Sequence, residues 1–241
     1  MGNEIDSNHD WDFWQDHRAN MTAFPYFQVW PFLQRLPPTS ISSNEQIKGH
    51  YYNYKPHPSI ELFSLNSNYL SSGKWSEEWK SEHNAMMLWL KNALSESKAI
   101  FKIVYFHHPF VSTAQHDALA DYMNAPFKQW GASIVLCGHQ HAMERILFKY
   151  SDASDPITVI TSGLGGHSWR YSIENCEPEP GSQIRYNGGH GFHVAVLHRD
   201  ETKPINEESD VSIDLCFYST ENGGTIIDQF TLKGDATIVE Q

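Results

Sequence analysis

Apolar and polar positions along the chain follow two rhythms. Residues 60–65, Ile60-Glu61-Leu62-Phe63-Ser64-Leu65, alternate in the manner of a strand. Over 75–97, Met86, Trp89, Leu90, Ala93 and Leu94 recur at i, i+3 and i+4, which predicts a helix whose apolar stripe packs on a core. Residues 100–106 and 134–137 are nearly continuous apolar runs and read as buried strands. Between them a helical stretch is expected over 117–130, kinked or ended by Pro126. After Glu144 strands dominate, at 157–161, 193–198, 211–218 and 225–232, and Glu221-Asn222-Gly223-Gly224 marks a turn between the last two. Residues 11–58, rich in aromatics, Pro and Ser, read as a long irregular rim. Strand, helix, strand is an α/β order, and without internal repeats the pattern implies a single domain over 1–241.

Composition narrows the partners. A chain of 241 residues with 40% hydrophobic content supplies one sizeable core. Its 17 basic and 29 acidic residues give a net charge of −12, which disfavours nucleic acid and anionic membranes as partners. Cys137, Cys176 and Cys216 show no Cys-x-x-Cys spacing and cannot all pair, so neither a disulfide framework nor a zinc knuckle is indicated. Cys137 and Cys216 sit in strand patterns and read as small buried hydrophobes. No apolar stretch approaches the roughly 20 residues that span a bilayer.

The polar chemistry gathers at strand ends. Gly138-His139-Gln140-His141 directly follows the apolar strand that ends at Cys137. Residues i and i+2 of a strand project the same way, and Gly138 is expected to let the backbone turn sharply so that both rings converge. His107-His108-Pro109 ends the strand over 100–106, and Asn8-His9-Asp10 forms a third cluster near the N-terminus. Three imidazole-rich loops suggest a metal site, and such ligation suits Zn, Fe or Mn. Among the remaining histidines, His17, His50, His57, His83 and His198 have polar or loop-like neighbours and are expected at the solvated surface.

In this order the motifs resemble those of the calcineurin-like metallophosphoesterases, and within them the purple-acid-phosphatase-like branch. Asn8-His9-Asp10 resembles the family's Asn-His-Asp/Glu motif, Tyr105-Phe106-His107-His108-Pro109 its single-histidine motif, and Gly138-His139-Gln140-His141 its closing Gly-His-x-His motif. Glu144-Arg145 and Ser162-Gly163-Leu164-Gly165-Gly166 look like further landmarks. The resemblance implies a two-sheet α/β/β/α sandwich with the metal loops at one edge, and hydrolysis of phosphate monoesters or diesters by metal-bound hydroxide at two transition-metal ions. It also assigns Asn8, His107 and His139 to the second metal and His141 to the first. His9 would face the phosphoryl group as transition-state stabiliser or proton donor. His116 is a second acid candidate, weighed against a solvated loop histidine, and His108 is read as a residue supporting the ligands or a wall residue. His167, His190 and His193 lie near glycine-rich segments where they could line the cleft, and are read in preference as packing or solvent-facing.

The same resemblance exposes a gap. The family opens with Asp-x-His and Gly-Asp motifs that supply the bridging carboxylate and two ligands of the first metal. Asp-x-His occurs nowhere in this sequence, and the one Gly-Asp pair is Gly234-Asp235. The expectation is therefore an N-terminally truncated chain, by gene-model error, an internal start at Met1 or a real shortened product. Such a chain would hold at most one ion tightly. It is either part of a hydrolase or a non-catalytic remnant with half a site. An extracytoplasmic location is what the resemblance implies, any signal peptide then lying upstream.

Overall fold

Two sheets and a helix carry the described part of the chain. The computed structural model describes residues 51–67, 77–114, 119–150, 155–168, 170, 172–199, 202, 211–221 and 224–240. In chain order the elements are β1 (Tyr52–His57), β2 (Ile60–Ser64), α1 (Glu77–Glu96), β3 (Phe101–Tyr105), a 3-10 turn (Asp121–Met123), β4 (Ile134–Cys137), β5 (Met143–Phe148), β6 (Ile157–Ser162), β7 (Ser182–Tyr186), β8 (Gly191–His198), β9 (Ser212–Ser219), β10 (Ile226–Lys233) and β11 (Ile238–Glu240). The first sheet has the order β1-β2-β3-β4-β6-β5-β7 and the second β11-β10-β9-β8. β2, β3, β4 and β6 run parallel, whereas β1, β5 and β7 are antiparallel to their neighbours. A parallel pair needs a crossover, and α1 provides it between β2 and β3.

Burial on both faces explains why the central strands are apolar throughout. Met86, Leu90 and Leu94 of α1 pack on Phe63, Val104, Val135 and Val159 on one face of the first sheet. The alternate residues of the same strands, Phe101, Ile103, Ile134 and Ile160, meet Ile213, Leu215, Phe230 and Leu232 of the second sheet. β9 alternates strictly between half-buried and buried residues, as a strand with one inward face must. Among the described residues the layers are thus helix, mixed sheet and antiparallel sheet, with no helix on the outer face of the second sheet, and no helix is long and apolar enough to cross a membrane.

Two expectations need correction. Of the helical stretch expected over 117–130, the described residues 119–130 form only the 3-10 turn Asp121–Met123, after which Asn124 is extended (φ −72, ψ 109). Ala125 precedes Pro126, which biases it away from helical backbone, so the turn cannot propagate. The rim ends earlier than residue 58: Tyr52–His57 is a strand paired with β2 through Tyr52↔Ser64 and Tyr54↔Leu62. It is an edge strand, half-buried and exposed along its length, and so lacks the apolar run that marks the centre. Residues 1–50 lie outside the described residues. The other expected strands form within two residues of their expected limits, and β5, β7 and β11 were not delimited in advance.

Candidate metal centre

The site begins with two adjacent parallel strands that end at the same edge. β3 and β4 pair through Tyr105↔Leu136. Their pairing continues past both strands, because the Phe106 N–H donates to the Leu136 carbonyl (3.1 Å) and the Gly138 N–H to the His107 carbonyl (2.9 Å). His107 and His139 are therefore brought side by side, with His139 Nδ1 3.2 Å from His107 Nε2. The sharp bend falls on His139 itself, at φ 63, and not on Gly138 as expected. A left-handed conformation is costly for a residue with a β-carbon, and such outliers concentrate at functional sites. Two tight turns follow, from Gln140 N–H to the Gly138 carbonyl and from Ala142 N–H to the Gln140 carbonyl, both 2.7 Å.

His108 completes the group. Nitrogen atoms of His107, His108 and His139 all lie within 4.8 Å of one another. The ring planes are mutually tilted, by 88° for His107 and His108, 53° for His108 and His139, and 68° for His107 and His139. His107 reaches solvent in part, yet packing around its ring, followed by the charges of His139 and His141, lowers its pKa below the ordinary 6.5. The lowered pKa favours the neutral form of His107, the form that binds metals. Three convergent nitrogen donors on strand-end loops fit a transition ion.

His141 stands outside this group. Its ring stacks on His167 at 4.0 Å and 27°. With His139 left-handed and two tight turns after it, the backbone at His141 no longer follows strand alternation, while its charge still acts on His107. His190 Nε2 lies 2.9 Å from the His167 carbonyl, and His193 packs between the sheets against Phe217 with Nδ1 2.9 Å from Ser162 Oγ. Burial pushes His193 down to about 4. Asn8, His9 and His116 lie outside the described residues.

A buried acid braces the loop after His107, a role that composition and spacing did not reveal. Glu144, with no exposure, accepts hydrogen bonds from the Thr113 N–H (2.7 Å), Thr113 Oγ1 (2.5 Å), Ser112 Oγ (3.2 Å) and Ser182 Oγ (2.7 Å). Its signal in the sequence is an acid inside a strand, three residues after His141. Gly163 matches another close approach: a β-carbon there would lie 1.8 Å from the Gln140 carbonyl oxygen. That contact seats the loop after β6 directly against the Gly-His-x-His turn.

The family model for calcineurin-like phosphoesterases matches residues 8–143, more than half of the chain, and the chain belongs to that family. It is similar to purple acid phosphatase 17 of Arabidopsis thaliana, 32% identical over 120 residues that cover 48% of this chain and 34% of that protein. The chain thus spans about a third of the length of that curated relative. Among solved structures it shares its fold with GAP50, the anchor in the inner membrane complex of Plasmodium (TM-score 0.53, 22% identity, 72% of this chain and 49% of that one). It also resembles purple acid phosphatase PPD1 from yellow lupin (Lupinus luteus) seeds (TM-score 0.50, 14% identity, 76% of this chain and 32% of that one).

Proposed function

We propose that this chain supplies the imidazole side of a metal-dependent site that hydrolyses small phosphate esters, monoesters or diesters. The observation that carries the reading is the convergence of His107, His108 and His139 within 4.8 Å at the ends of β3 and β4. Metal ions at such a site neutralise the ester's charge and make a nucleophile available near neutral pH. In this reading His107 and His139 hold the second metal together with Asn8, and His141 belongs to the first. His9 and His116 are the candidates for orienting the phosphoryl group and for donating the proton to the leaving alcohol. Glu144 keeps the loop that leads from His107 toward His116 in place.

The second reading, a non-catalytic chain that keeps part of a site, is favoured by one feature: no Asp-x-His is present among the 241 residues. Without a bridging carboxylate, attack on phosphorus loses both positioning and charge stabilisation. Hydrolysis of p-nitrophenyl phosphate and its bis ester separates the two. The 241-residue chain is expected to run near background, and the chain extended by an N-terminal segment carrying Asp-x-His and Gly-Asp is expected to show metal-dependent turnover. His107→Ala or His139→Ala in the longer protein should remove most of that turnover. An extended protein that stays inactive, or activity indifferent to both substitutions, would overturn the enzyme reading.

A further inference from the structure

His108 does not belong to the ligand set that the family resemblance supplies, yet one of its ring nitrogens lies within 4.8 Å of ring nitrogens of His107 and His139. Its Nδ1 lies 2.9 Å from Ser67 Oγ, and its backbone N–H donates to the same oxygen at 2.9 Å. A hydroxyl oxygen has two lone pairs, so Ser67 can accept both N–H groups, and in that arrangement the His108 proton sits on Nδ1. Coordination then uses Nε2, the tautomer choice that outer partners impose on metal-bound histidines. Ser67 is itself pinned. It is 2% exposed, and its carbonyl accepts the Tyr122 hydroxyl at 2.5 Å, while the Tyr122 ring packs edge-on against His83 of α1.

Distances and ring angles point the same way. Two nitrogens bound to one tetrahedral Zn2+ at about 2.0–2.1 Å each stand about 3.3 Å apart. His107 Nε2 and His139 Nδ1 are separated by 3.2 Å, close to that spacing. None of the three ring pairs is stacked, with tilts of 53° to 88°, and one nitrogen of each ring lies within 4.8 Å of those of the other two. His141 and His167, at 27°, show the contrasting stacked arrangement of rings that simply pack.

We propose that His108 is a metal ligand, and that His107, His108 and His139 form a three-imidazole site for one late first-row divalent ion of the Zn2+ class, with Ser67 as the positioning residue. Three protein ligands is the count found in catalytic zinc sites. The donor set is neutral and all nitrogen, so it discriminates against Mg2+ and Ca2+, which demand oxygen ligands. This inference rests on the metal-site reading above but adds a ligand to it and asks less of the rest of the chain. One ion is held by side chains from a single sheet edge, without the upstream carboxylates.

The test is calorimetric titration of the metal-stripped 241-residue chain with Zn2+ and with Mg2+, alongside visible spectra after Co2+ loading. Wild type is expected to take up one Zn2+ and to prefer it strongly over Mg2+. His108→Asn keeps an amide near the Nδ1 position for Ser67 but removes Nε2. It should weaken Zn2+ binding more than Ser67→Ala, for which a loss of about 10–100-fold is expected of an outer-shell partner. Ser67→Ala should also shift the Co2+ bands, and Ser67→Thr should restore them, while thermal midpoints of the metal-free variants stay together. Unchanged Zn2+ affinity in His108→Asn, with binding lost in His107→Ala, would make His108 a wall residue and leave the phosphoesterase reading on the family's ligands. Zn2+ affinity unchanged in both variants would overturn the site and that reading together. Equal affinity for Mg2+ and Zn2+ would overturn the three-imidazole assignment.

Discussion

His139 is held at φ 63, a conformation that costs a residue with a β-carbon about 1–2 kcal/mol. The strain is tolerable because it turns the ring toward His107. His139→Gly is therefore expected to lose metal while its urea midpoint holds or rises, the gain in unfolding free energy being up to about 1 kcal/mol. A large fall in the midpoint would show that the ring, and not the ion, is what the turn serves. His193 makes a second prediction at this scale. Burial lowers its pKa from the ordinary 6.5 to about 4, so between these values the native state binds fewer protons than the unfolded chain. Its contribution is fully present above about 6.5 and is lost as pH falls toward about 4. His193→Gln should flatten the fall of the urea midpoint over that window, and an identical pH profile in the variant would contradict the assignment. The contact between His108 and Ser67 shows why part of the arrangement was not legible: the two residues are 41 positions apart, and no local spacing encodes their hydrogen bond.

Elements explain the rest of the legibility. β3 and β4 were readable because both their faces are buried and the sequence is apolar throughout. The clustering of His107 and His139 was readable because each loop directly follows such a run. β1 escaped because an edge strand with Asn53 and Lys55 in it needs no apolar alternation, and the expected helix shrinks to the turn at Asp121–Met123 because the effect of Pro126 reaches further back than a kink or stop at its own position. At this scale Glu144 ties the loop containing Ser112 and Thr113 to β5 and β7. Glu144→Ala leaves several buried donors without an acceptor and should cost about 2–4 kcal/mol, with faster hydrogen exchange at the Thr113 amide. Exchange unchanged at that amide would show the loop is held by other contacts. Gly163→Ala cannot be accommodated without moving the Gln140 backbone, so it should reduce metal retention as well as stability. Full metal retention in that variant would uncouple the loop after β6 from the site.

At the scale of the whole molecule, one arginine joins the two sheets. Arg145 of β5 is 5% exposed and donates from Nε and Nη2 to both oxygens of Asp228 on β10 (2.8 and 3.0 Å). It also donates to Glu240 on β11 (2.7 and 2.9 Å) and lies over the Phe230 ring at 4.7 Å. Removing one partner of a buried pair leaves the other charge uncompensated, so Arg145→Ala should cost about 3–5 kcal/mol in urea unfolding. Glu240 is largely exposed, and Glu240→Gln should cost about 1 kcal/mol or less. Similar losses for both variants would mean that the clamp does not centre on Asp228. By holding the sheets together, the clamp keeps the edge where β3 and β4 end in a fixed relation to the second sheet.

The central claim is that the strand-end imidazoles hold a transition ion, and metal content tests it most directly. The purified 241-residue chain, loaded with zinc and freed of loosely bound metal, should retain one equivalent by elemental analysis, and His139→Ala should retain none. A chain that keeps no zinc, or a His139→Ala variant that keeps as much as wild type, would contradict the account.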